Sequence, residues 1–91
     1  MNPEVKVQLD IIKMLKQRDI YHFKTIITNR RGVPDLIICY KGNFVAMEVK
    51  DYKGKASQLQ LLNIEKIIAS EGLAFIVRSV DEAEQILKGI R

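Results

Sequence analysis

The stretch from Pro34 to Lys50 constrains the fold of this chain more tightly than any other. Leu36 to Tyr40 is a continuous apolar run, the pattern of a strand buried on both faces. Phe44 to Lys50 alternates, with Val45, Met47 and Val49 set against Phe44, Ala46, Glu48 and Lys50, and reads as a second strand. Lys41-Gly42-Asn43 lies between them, and Gly-Asn is a hairpin turn signal. A two-residue turn at Gly42 and Asn43 pairs Lys41 with Phe44, Ile37 with Glu48, and Asp35 with Lys50. Side chains directly opposite each other share a face, so Asp35, Glu48 and Lys50 meet at one end of the hairpin. A three-residue turn would shift the register by one and send Asp35 to the other face.

The rest of the chain supplies elements on either side of this hairpin. Asn2 is placed to cap a helix that begins at Pro3, where a missing N–H costs nothing, and runs to about Gln17. Tyr21 to Thr28 reads as the first strand. Asn29 to Pro34 is a basic loop, and Pro34 favours an extended approach to Asp35. A polar loop from Asp51 to Ala56 precedes a second helix, opened by Ser57 and running to about Ser70, with Gly72 as its stop signal. Leu73 to Arg78 is the last strand. Asp81 to Lys88 is a short closing helix with acids in its first turn, where they complement the helix dipole. The order α-β-β-β-α-β-α predicts a single α/β domain spanning residues 1–91, with a mixed four-stranded sheet flanked by helices.

Charge is distributed unevenly. The net charge is +4 and the pI about 9.3, only moderately basic. Between Lys24 and Lys55, however, seven Lys or Arg stand against three acids, and two of those acids are Asp35 and Glu48. An acidic pocket with a basic surround suits a phosphodiester substrate. Two carboxylates and one amine at a single point suit a hard divalent cation and a water aimed at phosphorus. Arg30, Arg31, Lys53 and Lys55 flank the trio and are candidate phosphate contacts. Glu4 projects on the same side as Ile11 and Leu15, and so points inward. Ser57 and Gln60 have the spacing of a capping box, with Gln58 as the alternative to Gln60 if the helix register is shifted. The lone His22 reads as an exposed strand residue. Cys39, the one cysteine, reads as a small core residue with no partner for a disulfide.

Both long helices carry more apolar surface than one sheet face needs. The first has Val5, Val7, Leu9, Ile11, Ile12, Met14 and Leu15; the second has Leu61, Ile64 and Ile68 on one stripe and Leu59, Leu62 and Ile67 off it. That excess leads to the expectation of a homodimer. Nothing in the sequence reads as a signal peptide or membrane span, so the expected location is the cytoplasm, that of the host cell if the chain is phage-encoded.

Glu4 in a leading helix, Gly32-Val33-Pro34-Asp35, Glu48-Val49-Lys50 and Ser57-Gln58-Leu59-Gln60, in this order, resemble the PD-(D/E)XK nucleases, whose domain is restriction-endonuclease-like. The chain looks most like a stand-alone VRR-NUC domain, the compact form found in phages and bacteria, and is similar to archaeal-type Holliday junction resolvases. The resemblance runs from Glu4 to the strand at Phe75. It implies that Asp35 and Glu48 ligate Mg²⁺ or Mn²⁺, with the Val49 carbonyl as a third ligand and Glu4 reaching the metal region through water or a second ion. Lys50 would hold the attacking water and offset charge on phosphate, and Gln60 would support the site. The implied activity is a metal-dependent DNA endonuclease acting as a homodimer on branched DNA, above all on four-way junctions. The alternatives are a less selective nuclease that nicks flaps, gaps or single strands, and a catalytically inactive DNA-binding subunit. The chain has no recognition helix rich in Arg, Asn or Gln, which favours reading of shape over reading of sequence.

Overall fold

A computed structural model describes all 91 residues. The elements are α1 (Pro3–Gln17), β1 (Tyr21–Lys24), β2 (Leu36–Tyr40), β3 (Asn43–Val49), α2 (Gln58–Ala69), β4 (Leu73–Val77) and α3 (Val80–Lys88). The four strands form one sheet in the order β1-β2-β3-β4. The first two pairings are antiparallel and the last, β3 with β4, is parallel, with α2 as the crossover. The fold is therefore the mixed α/β arrangement, order α-β-β-β-α-β-α, that the sequence predicts. No helix is long and apolar enough to cross a membrane.

The core lies on one side of the sheet. Ile11, Met14 and Leu15 of α1, together with Ala83 and Leu87 of α3, pack on Leu36, Ile38, Val45, Met47, Val49 and Val77. The period of α1 supplies this contact: residues 11, 14 and 15 share a face. Its start is fixed by Asn2, whose side-chain oxygen accepts the Glu4 amide at 2.8 Å, just ahead of Pro3. The other side of the sheet is covered only in part. Alternation places Ile37, Cys39, Phe44, Ala46 and Glu48 there, and α2 lies over the small residues Ala46 and Ala74, leaving the β1 end open.

The hairpin differs from expectation in its turn. Tyr40 pairs with Asn43 and Leu36 with Met47, so the two turn residues are Lys41 and Gly42 rather than Gly42 and Asn43. Both have positive φ, 52° and 80°, as a type I′ turn requires at its two central positions. Asn43 supports the turn from the following position, where its amide donates to the carbonyls of Tyr40 and Lys41. The register has moved by two residues, not one, so every side chain keeps its predicted face. Continued one step past Leu36, this register sets Asp35 across from Glu48 instead of Lys50.

Four further expectations are corrected. β1 ends at Lys24, not Thr28: the next amide, Thr25, bonds the Asp35 carbonyl at 2.9 Å, and beyond it Pro34 has no N–H to extend the ladder. Ile26 and Ile27 are accordingly exposed loop residues. β2 is deeply buried on one face only, because α2 does not reach its other face. Cys39 is exposed for the same reason, between Tyr21 and Phe44 on the open part of the sheet. At the end of α2 the left-handed residue is Glu71 (φ 70°), while Gly72 is needed for close approach, since a Cβ there would lie 2.8 Å from Ile67 Cγ2.

Two glycines with left-handed backbones differ in their surroundings. At Gly42 an added Cβ meets nothing within 4 Å; at Gly32 (φ 75°) it would lie 2.6 Å from Leu59 Cγ and 3.1 Å from the Leu59 backbone. Gly42→Ala should cost about 1 kcal/mol from backbone strain alone. Gly32→Ala should cost about 3 kcal/mol, because overpacking against α2 is added. Urea unfolding of the two variants measures the difference, and equal losses would mean that the Gly32 loop does not rest on α2 as described.

Candidate active site

The site forms where β3 leaves the sheet. Glu48 lies on the α2 side of β3 and is 2% exposed. One of its oxygens, Oε2, accepts a hydrogen bond from Gln60 Nε2 at 2.9 Å and lies 3.4 Å from Lys50 Nζ. The other, Oε1, is buried with no hydrogen-bond partner. Lys50 follows two residues later on the same face, with its side chain largely covered. Asp35 arrives from the start of β2, and its Oδ2 accepts the Val49 amide at 2.8 Å. In an extended strand the N–H and C=O of one residue project toward the same neighbour, so the Val49 carbonyl also faces the Asp35 side. The structure thus brings together Asp35, Glu48, Val49, Lys50 and Gln60.

Local sequence explains each placement. Asp35 is held through its backbone as well as its carboxylate: the Thr25 hydroxyl donates to the Pro34 carbonyl at 2.7 Å and approaches the Asp35 carbonyl at 3.2 Å. Thr25 is a positioning residue that nothing in the sequence pattern marks. Gln60 fills two roles at once. Its Oε1 accepts the Ser57 amide at 2.8 Å, closing the capping box, while Ser57 Oγ accepts the Gln60 amide at 3.1 Å. Because the Ser57 N–H can only donate, Oε1 is committed to it, and the Gln60 NH₂ is left to face Glu48. The cap of α2 therefore fixes the orientation of a hydrogen bond to the buried carboxylate. Gln58, the alternative, is exposed.

Glu4 stands apart from this group. It is half-buried in the first turn of α1, but its carboxylate has no hydrogen bond or ion pair. No set of three or more His, Cys, Asp or Glu side chains converges anywhere in the molecule, so Glu4 does not complete a three-acid cluster with Asp35 and Glu48. His22 is half-buried rather than exposed, with Nδ1 2.8 Å from the Ile20 carbonyl, and has no place in the site.

Arg30, Arg31, Lys53 and Lys55 are all exposed. Arg30 is oriented by Asn63, a buried asparagine on the inner face of α2 that sequence reasoning missed: Arg30 Nε donates to Asn63 Oδ1 at 3.0 Å, and Asn63 Nδ2 donates to the carbonyls of Arg31 (3.0 Å) and Leu59 (2.9 Å). The only available signal is a polar residue one turn after Gln60, on the same helix face. The same face of α2 thus holds Glu48 through Gln60 and the basic loop through Asn63.

The electrostatics centre on Glu48. Burial raises its pKa from 4.5 to about 7, reinforced by the neighbouring Asp35 charge, while the Lys50 ammonium pulls the other way and only partly compensates. The residues present fit a hard divalent cation. Two adjacent carboxylates, one with an unsatisfied buried oxygen, and a nearby strand carbonyl form an all-oxygen set, and Mg²⁺ needs only one or two protein carboxylates because it keeps several waters.

With this geometry in hand, comparison with solved structures gives matches across the chain. One, described as a VRR-NUC domain, superimposes with a TM-score of 0.84 at 22% identity and covers all of both chains. The chain has the VRR-NUC fold. A second, a VRR-NUC domain protein, matches with a TM-score of 0.77 at 21% identity over 93% of this chain and 84% of the other. No family model and no curated protein matches the sequence, so the likeness lies in the path of the backbone. In this chain Glu48 lies on the third strand, Lys50 directly after its end, and Gln60 in the first turn of the crossover helix.

The raised pKa of Glu48 has a sign that can be tested. Between pH 4.5 and about 7 the folded chain holds a proton on Glu48 that the unfolded chain has released. Metal-free stability should therefore be highest with respect to this group below pH 4.5 and fall as pH rises to about 7, by up to about 3 kcal/mol. Urea unfolding in EDTA at pH 5 and pH 8 should show a larger loss for the wild type than for Glu48→Gln. An identical loss in both would place the proton elsewhere.

Proposed function

We propose that this chain is a Mg²⁺- or Mn²⁺-dependent DNA endonuclease that hydrolyses phosphodiester bonds in branched DNA, with four-way junctions the leading substrate, and that it works as a homodimer. The observation that carries the reading is the state of Glu48: a carboxylate 2% exposed, with one oxygen unpartnered, beside Asp35 and Lys50. A protein that only binds DNA gains nothing from acids placed near phosphate, and burying one costs stability unless a ligand or a reaction uses it.

Asp35 and Glu48, with the Val49 carbonyl, would hold the cation. When bound, it supplies Lewis-acid polarisation of the phosphate and a water of lowered pKa. The chain's own residues do the rest. Lys50 keeps its ammonium 3.4 Å from Glu48 and is placed to orient the attacking water and offset charge that builds on the phosphate oxygens. Gln60 prevents Glu48 from rotating away by holding Oε2. Val49, through its amide, does the same for Asp35. Arg30, Arg31, Lys53 and Lys55 neutralise flanking phosphates and set the register of the backbone across the site.

Shape-directed recognition follows from what the chain lacks: its helices α1 and α2 serve the core and the site, and α3 closes the sheet, leaving none to enter a major groove. The homodimer is supported by apolar side chains left in solvent, including Val5 and Leu9 on α1 and Leu61, Leu62 and Ile68 on α2, each between 43% and 54% exposed. Two sites related by a two-fold axis would nick two strands symmetrically.

Cleavage of a labelled four-way junction beside a linear duplex of the same sequence tests the proposal, with Mg²⁺, Mn²⁺ or EDTA and with Asp35→Ala in parallel. Paired symmetric cuts in the junction alone, absent in EDTA and reduced at least 100-fold in the variant, are expected. Equal cutting of both DNAs would remove the junction preference, and cutting by Asp35→Ala at the wild-type rate would remove the assigned site.

A further inference from the structure

The loop that leaves Lys50 is built more rigidly than a surface loop requires. Asp51 Oδ1 accepts the amides of both Lys53 (2.8 Å) and Gly54 (2.7 Å), forming a closed Asx turn. Arg78, at the end of β4, donates through one nitrogen to the carbonyls of Asp51 and Gly54, joining the two ends of the loop. Gly54 lies against the stem of Lys50: a Cβ there would come 3.4 Å from both Cβ and Cδ of that lysine. The loop is therefore seated on the site itself. At its tip stands Tyr52, 77% exposed, with Lys53 Nζ 5.4 Å from the ring centroid.

An aromatic ring held out into water, beside a lysine and two residues from the ammonium of the candidate site, contributes nothing to the core. Its exposed π-face matches that of a nucleobase, and the adjacent lysines match the phosphates on either side. Base-paired DNA keeps its bases stacked on one another, so a base can reach such a ring only where the duplex is interrupted. We infer that Tyr52 is a stacking platform for an unstacked nucleobase at the branch point or gap beside the cleaved phosphate, with the Asx turn and Arg78 fixing the loop backbone that carries the ring.

The inference rests on the nuclease reading, and it narrows the substrate from branched DNA in general to branches that offer an unstacked base. It explains why the loop is rigid: a stacking surface fixed before binding loses less conformational freedom when the base arrives. The tyrosine hydroxyl has no partner in the chain and no part in the stacking, so phenylalanine should serve equally well.

Binding to a flap duplex with one unpaired nucleotide at the branch, measured by fluorescence anisotropy of labelled DNA in EDTA, where no cutting occurs, tests the inference. A second flap carries an abasic sugar in place of that nucleotide, and an uninterrupted duplex serves as the reference. Tyr52→Ala should bind the intact flap about ten-fold more weakly than the wild type, and Tyr52→Phe should match the wild type. Removing the base should weaken wild-type binding by a similar factor and leave Tyr52→Ala unchanged. Equal affinity of wild type and Tyr52→Ala for the intact flap would overturn the stacking role, as would an equal loss on the uninterrupted duplex. Failure of the wild type to bind any of the three DNAs would instead overturn the nuclease reading on which the inference stands.

Discussion

A carboxylate set into the floor of a sheet must be held, paired or protonated, and in this chain the placement of Glu48 makes all three relevant. Gln60 holds one of its oxygens, Lys50 lies 3.4 Å away, and its pKa of about 7 leaves it partly protonated near neutrality. The arrangement around it follows from that need. α2 must begin where its capping glutamine can reach Glu48. The crossover that carries α2 is possible because β3 and β4 run parallel. The small residues Ala46 and Ala74 let the helix come close to the sheet. The unpartnered Oε1 is the one part of the need that the chain does not meet by itself.

The two halves of the site are joined through α2 rather than through the sheet. One turn separates Gln60, on Glu48, from Asn63, on the loop of Arg30 and Arg31. Gly32 lets that loop press against Leu59 with no side chain between them. Glu48 and the Arg30–Arg31 loop are consequently both tied to α2, in a small domain whose core lies on the opposite face of the sheet. The candidate site lies on the less covered side of the sheet, and the buried apolar cluster lies on the side of α1 and α3.

Much of this was legible in the sequence because periodicity and capping are local. The order of elements, the start of α1 at Asn2-Pro3 and the capping box at Ser57 and Gln60 follow from patterns a few residues long. The grouping of Asp35, Glu48 and Lys50 survived an error in the turn for a specific reason. Moving the turn from Gly42-Asn43 to Lys41-Gly42 shifts the register by an even number, and face is preserved under even shifts. Long-range features were not legible. The exposure of Cys39 depends on how far α2 extends across the sheet, and the short β1 depends on Pro34 in another strand's approach. The roles of Asn63, Thr25 and Arg78 depend on carbonyls 9 to 32 residues away. For Glu4 the helix period gives the inward direction, its metal-region role comes from the resemblance, and the structure shows no direct three-acid cluster with Asp35 and Glu48.

The central claim is that Asp35 and Glu48 form a cation site whose second function is to relieve the buried carboxylate. Direct titration with Mn²⁺, followed by water-proton relaxation at pH 6 and at pH 8, tests it without any DNA. A single class of site should appear that binds several-fold more tightly at pH 8, because the cation must displace the Glu48 proton, and it should be absent from Glu48→Gln. Binding that is independent of pH and unchanged in Glu48→Gln would contradict the account.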